Sequence, residues 1–222
     1  MTAKSAIHRY LDPAETLAEV LFGLIMVLTI TAGAGIVSAS EQLDTRKLVA
    51  AALGCNVAWG VIDAVLFVLG GLFYRSQRAR FFRELRSAPS EAEALVAIQE
   101  EFGLEEEPFA VPPEDRARLY QSILALSAHA TPARVGLVRR DIASAFVVFA
   151  LVSATALPGV IPFLLLDNSY LALRLSNVVL ISLLFVVGYW WAHYTDVPPW
   201  RAAAIVLFLG VSMVFVAVAL GG

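Results

Sequence analysis

Two long apolar segments each contain an acidic side chain, which is costly to place there and therefore indicates a function. Asp63 is the only charged residue of segment 48–74, and Glu19 is the only one of segment 17–37. A charge at bilayer depth costs at least about 2.5–3.5 kcal/mol on insertion scales. Asn56 lies seven residues before Asp63, and Met26 lies seven residues after Glu19, so each pair shares one helix face. If these faces meet, the four side chains predict a polar seam that could pass a cation or a proton.

Each of these side chains also has a purely structural interpretation. Glu19 could lie in a first helical turn, where its charge favours the helix dipole. Met26 could be a packing residue, and Asn56 could hydrogen-bond one helix to another. Asp63 could be a buried structural group with a hydrogen-bond partner. Of the four, Asp63 is the hardest to explain by packing alone.

A second group of carboxylates lies between residues 75 and 140, which hold 20 of the 35 charged residues: ten Arg and ten acids. Converging carboxylates repel each other, and a divalent ion with a preference for oxygen ligands relieves that repulsion, as Mn, Fe(II), Mg or Ca would. The metal-ligand candidates are Glu84, Glu93, Glu100, Glu101 and Glu105. The alternative is a pair of solvated amphipathic helices whose acids are balanced by arginines.

Helices must position these residues, because the rest of the chain consists mainly of apolar runs. Five runs have about the 20 residues needed to cross a bilayer as a helix: 17–37, 48–74, 142–166, 171–191 and 202–220. The sequence thus predicts an all-α membrane protein with five transmembrane helices and a helical insert between helices 2 and 3. The predicted domains are 1–74, 75–140 and 141–222. Pro158 and Pro162 should kink the third transmembrane helix.

Capping signals divide the insert into helices. Ser90 and Glu93 form a capping box at the start of one helix, and Gly103 can end it in a left-handed conformation. A second helix is expected from about Glu114 to Ala130. The basic stretch 75–86 should continue the second transmembrane helix.

Composition excludes several classes of protein. Hydrophobic residues make up 59% of the 222 residues and the mean hydropathy is +0.75, well above soluble domains. A net charge of −3 argues against nucleic-acid binding, and a single cysteine argues against a disulfide scaffold. We find no sequence motif of a soluble enzyme, so we expect neither an enzyme nor a cofactor other than a bound or transported metal ion.

The distribution of Lys and Arg predicts the orientation. Five crossings put 13 of the 16 basic residues on the side of the amino terminus and the insert, which is therefore expected to be cytoplasmic, with the carboxyl terminus outside. The excess of Arg over Lys, 14 to 2, is typical of GC-rich bacteria and suggests a bacterial inner membrane. A cleaved signal peptide is the alternative for the first segment, but its apolar run exceeds the usual core of about 7–15 residues.

Three short motifs give the chain a family resemblance: Leu21-Phe22-Gly23-Leu24, Arg75-Ser76-Gln77-Arg78 and Glu100-Glu101-Phe102-Gly103-Leu104. Together with the order of two helices, an acidic insert and three helices, they resemble the vacuolar iron transporter family. The resemblance implies a homodimeric exporter of Fe(II) or Mn(II) that exchanges metal for protons, with insert glutamates gathering the metal.

The chain departs from the family pattern at two places. Met26 stands where the family has an aspartate in the first helix. Val65-Leu66 and Gly70 stand where the family has a small-Met pair and a glutamate in the second helix. Glu19 and Asp63 would have to take over those roles.

These observations favour a transporter that moves Fe(II) or Mn(II) out of the cytoplasm, in a lipid bilayer and as a homodimer. The alternative is a membrane scaffold or regulatory protein that does not transport, with the insert as a docking or metal-sensing module. An intramembrane enzyme using Asp63 is a third interpretation, and the lack of a second carboxylate at similar depth counts against it.

Overall fold

The structure is a computed structural model that describes residues 12–37, 44–103, 111–129 and 135–220. The described residues form α-helices, one 3₁₀ turn at Ala192–Tyr194 and no strand. The helices are α1 (Pro13–Val37), α2 (Thr45–Ser87), α3 (Glu91–Phe102), α4 (Pro113–His129), α5 (Arg139–Ala154), α6 (Ala156–Leu165), α7 (Ser169–Trp191) and α8 (Pro199–Ala219). The all-helical prediction is therefore confirmed.

Five spans of the described chain are long and apolar enough to cross a membrane: Pro13–Ile36, Thr45–Ser87, Arg139–Leu165, Ser169–Tyr194 and Pro199–Ala219. They correspond to the five apolar runs of the sequence. The third span contains α5 and α6, which meet at Thr155. Pro158 explains this break, because it has no N–H to donate to the carbonyl of Ala154 and its ring crowds that carbonyl. Pro162, in contrast, lies inside α6 without ending it.

By their contacts the residues divide into two units, one of residues 1–68 with 139–222 and one of residues 69–138. In the first unit α1 packs against α5, α6, α7 and α8. Its core contains Leu24 and Val27 of α1, Val160 of α6, and Leu180 and Leu184 of α7. Close-packed aliphatic side chains of this kind hold a helix bundle together in lipid, where no hydrophobic effect drives helices together.

Hydroxyl and amide groups fasten these helices to one another. The Thr31 hydroxyl of α1 lies 2.7 Å from Oδ1 of Asn177 in α7. The Ser176 hydroxyl of α7 donates to the carbonyl of Gly159 in α6 at 2.7 Å. Interhelical hydrogen bonds in membrane proteins contribute about 0.6 kcal/mol on average.

The second unit is a small helical cluster with its own core. Leu85, Ala94, Ile98 and Tyr120 are its buried residues. The predicted cap by Ser90 is confirmed, since the Glu93 amide donates to Ser90 Oγ at 3.3 Å, and the Glu93 carboxylate accepts from the Ser90 hydroxyl at 3.3 Å. Gly103 ends α3 with φ of 49°, and its amide donates to the carbonyl of Gln99. The expected second helix of the insert corresponds to α4, which is described from Pro113 to His129.

The start of α2 is capped by an aspartate. Oδ1 of Asp44 accepts a hydrogen bond of 3.2 Å from the amide of Lys47, and the ammonium of Lys47 lies 3.2 Å from the other carboxylate oxygen. The hydrogen bond from this amide lowers the pKa of Asp44. The predicted continuation of the second transmembrane helix through 75–86 is confirmed, because α2 runs unbroken to Ser87.

Candidate functional site

The polar residues predicted on the first two transmembrane helices lie where α1 and α2 meet. Phe22 and Trp59 are in edge-to-face contact, with ring centroids 5.5 Å apart. One turn before Trp59 in α2, the side-chain amide of Asn56 donates to the backbone carbonyl of Gly23 at 3.3 Å. The carboxyls of Glu19 and Asp63 are close enough to interact electrostatically. The two helices are therefore antiparallel neighbours, and the predicted stripes approach each other.

Asn56 is fully buried and fastens α2 to two other helices. Its amide nitrogen donates to the Val152 carbonyl at 3.2 Å and to Thr155 Oγ1 at 2.9 Å, in addition to the carbonyl of Gly23. This geometry supports the interpretation of Asn56 as a link between helices. Its oxygen Oδ1 is also buried and has no hydrogen-bond partner among the described residues.

Asp63 is half-buried, and its carboxylate oxygen Oδ2 has lost access to solvent. No hydrogen bond from the described part of the chain reaches that oxygen. A buried acceptor without a donor costs about 1–3 kcal/mol, more if charged. The interpretation of Asp63 as a satisfied structural group therefore receives no support from the described residues.

Glu19 and Met26 complete the predicted seam on α1. Both are half-buried, and they lie on either side of Gly23. Gly23 packs directly on Thr155, so closely that a Cβ in its place would overlap the threonine hydroxyl. The helix face with Glu19 and Met26 is therefore held against the bundle at the glycine between them.

The carboxylates of the insert are not gathered in the described part of the chain. Glu84 pairs with Arg80 at 2.7 Å, and Glu93 lies 3.3 Å from the Ser90 hydroxyl. Glu100 and Glu101 are exposed at the end of α3. Glu105 lies outside the described residues, and within these no group of three or more His, Cys, Asp or Glu could hold one metal ion.

Helix geometry explains this dispersion. Glu93 and Glu100 share a face but lie about 10.5 Å apart along α3, at 1.5 Å per residue. Oxygen ligands of Ca²⁺, in comparison, lie only about 2.3–2.6 Å from the ion. To share one ion, these two side chains would have to extend toward each other along α3, whereas Glu93 lies against Ser90. Metal capture by the insert stays a prediction.

Sequence reasoning missed the contribution of the third membrane span. Thr155 accepts from Asn56, and the hydroxyl oxygen of Ser153 is buried without a partner in the described chain. Both were visible as hydroxyl residues near the middle of an uncharged apolar run, just before Pro158. Their meeting with α2 depends on packing, which no local pattern reveals.

Comparison with known proteins identifies the family. The family model for the VIT family matches residues 23–222, which is nearly the whole chain. No curated protein matches the sequence significantly. The family match implies transport of metal ions across a membrane, and the five apolar helices agree with that role. From the extent of the match we conclude that this chain belongs to the VIT family, the vacuolar iron transporter family that its sequence motifs resemble.

Proposed function

We propose that the protein exports Fe(II) or Mn(II) from the cytoplasm across a bacterial inner membrane in exchange for protons. The observation that carries the proposal is the buried, unpartnered carboxylate oxygen of Asp63 beside Glu19. Two carboxylates close together in a medium of low dielectric constant repel each other strongly. A divalent cation or a proton relieves that repulsion.

Alternate binding of these two cations is a physical basis for antiport. When metal occupies the pair, both carboxylates are ionised; when metal leaves, at least one of them gains from taking up a proton. Carboxylate ligands suit Mn(II) and Fe(II), and the thioether of Met26 adds a softer ligand that distinguishes these ions from Mg²⁺. The seam residues in this proposal are Asp63, Glu19, Met26 and Asn56.

The direction of transport follows from the proposed topology. The excess of Lys and Arg on the side of the insert supports a cytoplasmic amino terminus and insert, with the carboxyl terminus outside. Acidic side chains of the insert would then collect metal on the cytoplasmic side. We keep Glu93, Glu100, Glu101, Glu105 and Glu84 as the candidates for this role.

A homodimer is part of the proposal. In the apolar part of α2 only 6% of the residues are buried, against 44% in the span of α5 and α6. This weakly covered helix carries Asp63, and Val61, Ile62 and Val65 beside it are exposed. A second copy of the chain would pack on this exposed face of α2, which is opposite the buried oxygen of Asp63, and would enclose the helix within the protein.

Reconstituted vesicles test the proposal directly. Purified protein in liposomes should carry Mn(II) down its gradient, with protons moving in the opposite direction. A metal-sensitive dye and a pH-sensitive dye inside the same vesicles measure both movements. Flux no greater than in vesicles without protein would contradict transport, and Mn(II) flux without proton movement would contradict antiport alone.

The second candidate function is a membrane scaffold or regulator that does not transport. It is favoured by Met26 in the place of the family's aspartate and by the dispersed insert carboxylates of the described chain. In this case the insert would serve as a docking or metal-sensing module.

Metal binding by the insert gives a second prediction. Changing Glu93, Glu100 and Glu101 together to Gln should weaken Mn(II) binding to the protein by about tenfold or more, since each change removes one negative charge and one of the two carboxylate oxygens. Calorimetry in detergent measures the affinity. The control carries Glu114→Gln and Asp115→Asn at the exposed start of α4 and should bind as the wild type does. Equal affinity of both variants would exclude these glutamates from metal capture.

A further inference from the structure

The second unit contains a small pocket with aromatic walls, which we call the aromatic pocket. It lies between α2 and α3 and has a volume of about 220 Å³. Phe81 and Phe82 of α2 and Phe102 of α3 form its apolar side. The ring centroid of Phe81 lies 5.7 Å from that of Phe82 and 6.2 Å from that of Phe102, with interplanar angles of 69° and 66°. Rings at such steep angles form adjoining walls rather than a stack.

Polar groups of both charges complete the lining of the aromatic pocket. Arg78, Gln77 and Tyr74 come from α2, and Glu101 comes from the last turn of α3. Arg78 and Glu101 are exposed, and neither takes part in an ion pair within the described chain. A guanidinium and a carboxylate are therefore both available to a ligand in one pocket.

The volume of the aromatic pocket limits the size of that ligand. Drug-sized ligands occupy sites of about 300–1,000 Å³. A water molecule takes about 30 Å³ in the liquid, so the pocket has room for a group the size of roughly seven waters. This volume suits a small charged group that is part of a larger molecule.

The charges of the pocket oppose both a bare metal ion and a simple anion. Arg78 repels a divalent cation, and Glu101 repels a phosphate. The faces of aromatic rings attract an organic ammonium group, most strongly where water is excluded. A zwitterion fits all of these groups, because its ammonium can meet Glu101 and the rings while its phosphate meets the guanidinium of Arg78.

The position of the pocket along α2 indicates where it would meet such a zwitterion. Tyr74 is the last residue of the apolar segment 48–74, and Phe82 follows it by about 12 Å along the helix, at 1.5 Å per residue. The headgroup layer adds about 5–8 Å on each side of the hydrocarbon core. The pocket therefore begins where α2 leaves the hydrocarbon and extends through the layer of lipid headgroups.

We propose that the aromatic pocket binds the headgroup of a zwitterionic phospholipid, with the phosphate at Arg78 and the ammonium between Phe102 and Glu101. Gln77 and Tyr74 supply further hydrogen-bond donors for the phosphate. A primary ammonium, as in phosphatidylethanolamine, also donates hydrogen bonds to Glu101, which the quaternary ammonium of phosphatidylcholine cannot do. This selection goes beyond the general attraction of arginines for anionic lipids. It requires that α2 spans the bilayer and does not depend on metal transport.

Native mass spectrometry of the protein released from detergent measures which lipids it retains. Phosphatidylethanolamine, phosphatidylcholine and phosphatidylglycerol with identical acyl chains are offered at equal concentration. A chelator keeps metal ions from Glu101. The wild type should retain phosphatidylethanolamine at least about tenfold better than phosphatidylglycerol, which has no ammonium group, and phosphatidylcholine should lie between them. Equal retention of phosphatidylethanolamine and phosphatidylglycerol would overturn the inference.

Two variants test the pocket itself. Glu101→Gln keeps the shape of the side chain and removes its charge, so the preference for phosphatidylethanolamine over phosphatidylglycerol should fall by about tenfold. Phe102→Leu keeps an apolar side chain and removes the ring, so the preference should fall by about threefold, as for one exposed cation–π contact. The matched control is Glu114→Gln at the exposed start of α4, outside the pocket, which should behave as the wild type does. A wild-type preference in Glu101→Gln or in Phe102→Leu would overturn the assignment.

A soluble competitor separates a lipid from a free zwitterion. Glycerophosphoethanolamine carries the same headgroup without acyl chains. It should displace phosphatidylethanolamine only weakly, because the acyl chains hold the lipid in the micelle beside α2 and raise its effective concentration at the pocket. Displacement at equal concentration would assign the pocket to a soluble zwitterion and overturn the lipid as its ligand.

Discussion

Replacing Asp63 with asparagine should lower Mn(II) flux in reconstituted vesicles by at least about tenfold, because one of the two charges that attract a divalent ion is lost. Asparagine has nearly the shape of aspartate, so packing is preserved. It carries no charge and exchanges no proton at neutral pH, so it can pass on neither the metal ion nor the proton. Proton counterflow should fall with the metal flux.

Stability distinguishes this functional effect from damage to the fold. A neutral amide is cheaper to bury than a carboxylate, and its presence removes the repulsion with Glu19. Asp63→Asn should therefore unfold at a temperature no lower than that of the wild type. The matched control is Asp167→Asn, an exposed aspartate between α6 and α7, which should leave flux unchanged. Normal flux in Asp63→Asn would remove the residue from the transport path.

Replacing Gly188 with alanine should destabilise the bundle more than any other alanine substitution proposed for these helices. A Cβ at this position of α7 would lie 2.7 Å from Cβ of Val206 and 2.8 Å from Cα of Ala203, both in α8. Neither atom is the end of a flexible side chain, so the two helices must separate. Overpacking of this kind costs about 1–3 kcal/mol.

The control for Gly188→Ala is the same change at a glycine that also lies in a membrane-spanning helix but has free space around it. A Cβ at Gly54 of α2 would meet no atom within 4 Å among the described residues. Gly54→Ala should be neutral or stabilising, by up to about 1 kcal/mol from helix propensity. Thermal unfolding followed by tryptophan fluorescence measures both variants. Equal midpoints for Gly188→Ala and the wild type would show that α7 and α8 do not depend on this contact.

The membrane helices could be predicted because their signal is local. An uncharged run of about 20 residues must satisfy its own backbone hydrogen bonds in lipid, and only a helix does so within one segment. The ends of α3 were predictable for the same reason, since Ser90 and Gly103 act on the amides and carbonyls of adjacent residues. The break of the third span at Thr155 followed from Pro158, whose missing N–H is also a local property.

The partners of the polar residues could not be predicted in this way. Spacing placed Asn56 and Asp63 on one face of α2, but the sequence did not reveal that this face also meets α5. Small residues permit such an approach without specifying it: Gly60 accommodates Ser153, and Gly23 accommodates Thr155. Which helix fills that space depends on the packing of the whole bundle.

By itself the sequence determined that the chain is helical, that five segments are apolar enough to span a bilayer, and that Asp63 and Glu19 carry charges within them. These properties depend on each residue and its near neighbours along the chain. Only the tertiary structure decided that Asn56 links three helices, that Ser153 packs against Gly60 of α2, and that the described insert carboxylates lie apart. The reason is physical: a hydrogen bond between helices depends on where two distant segments pack, and that is a property of the whole bundle.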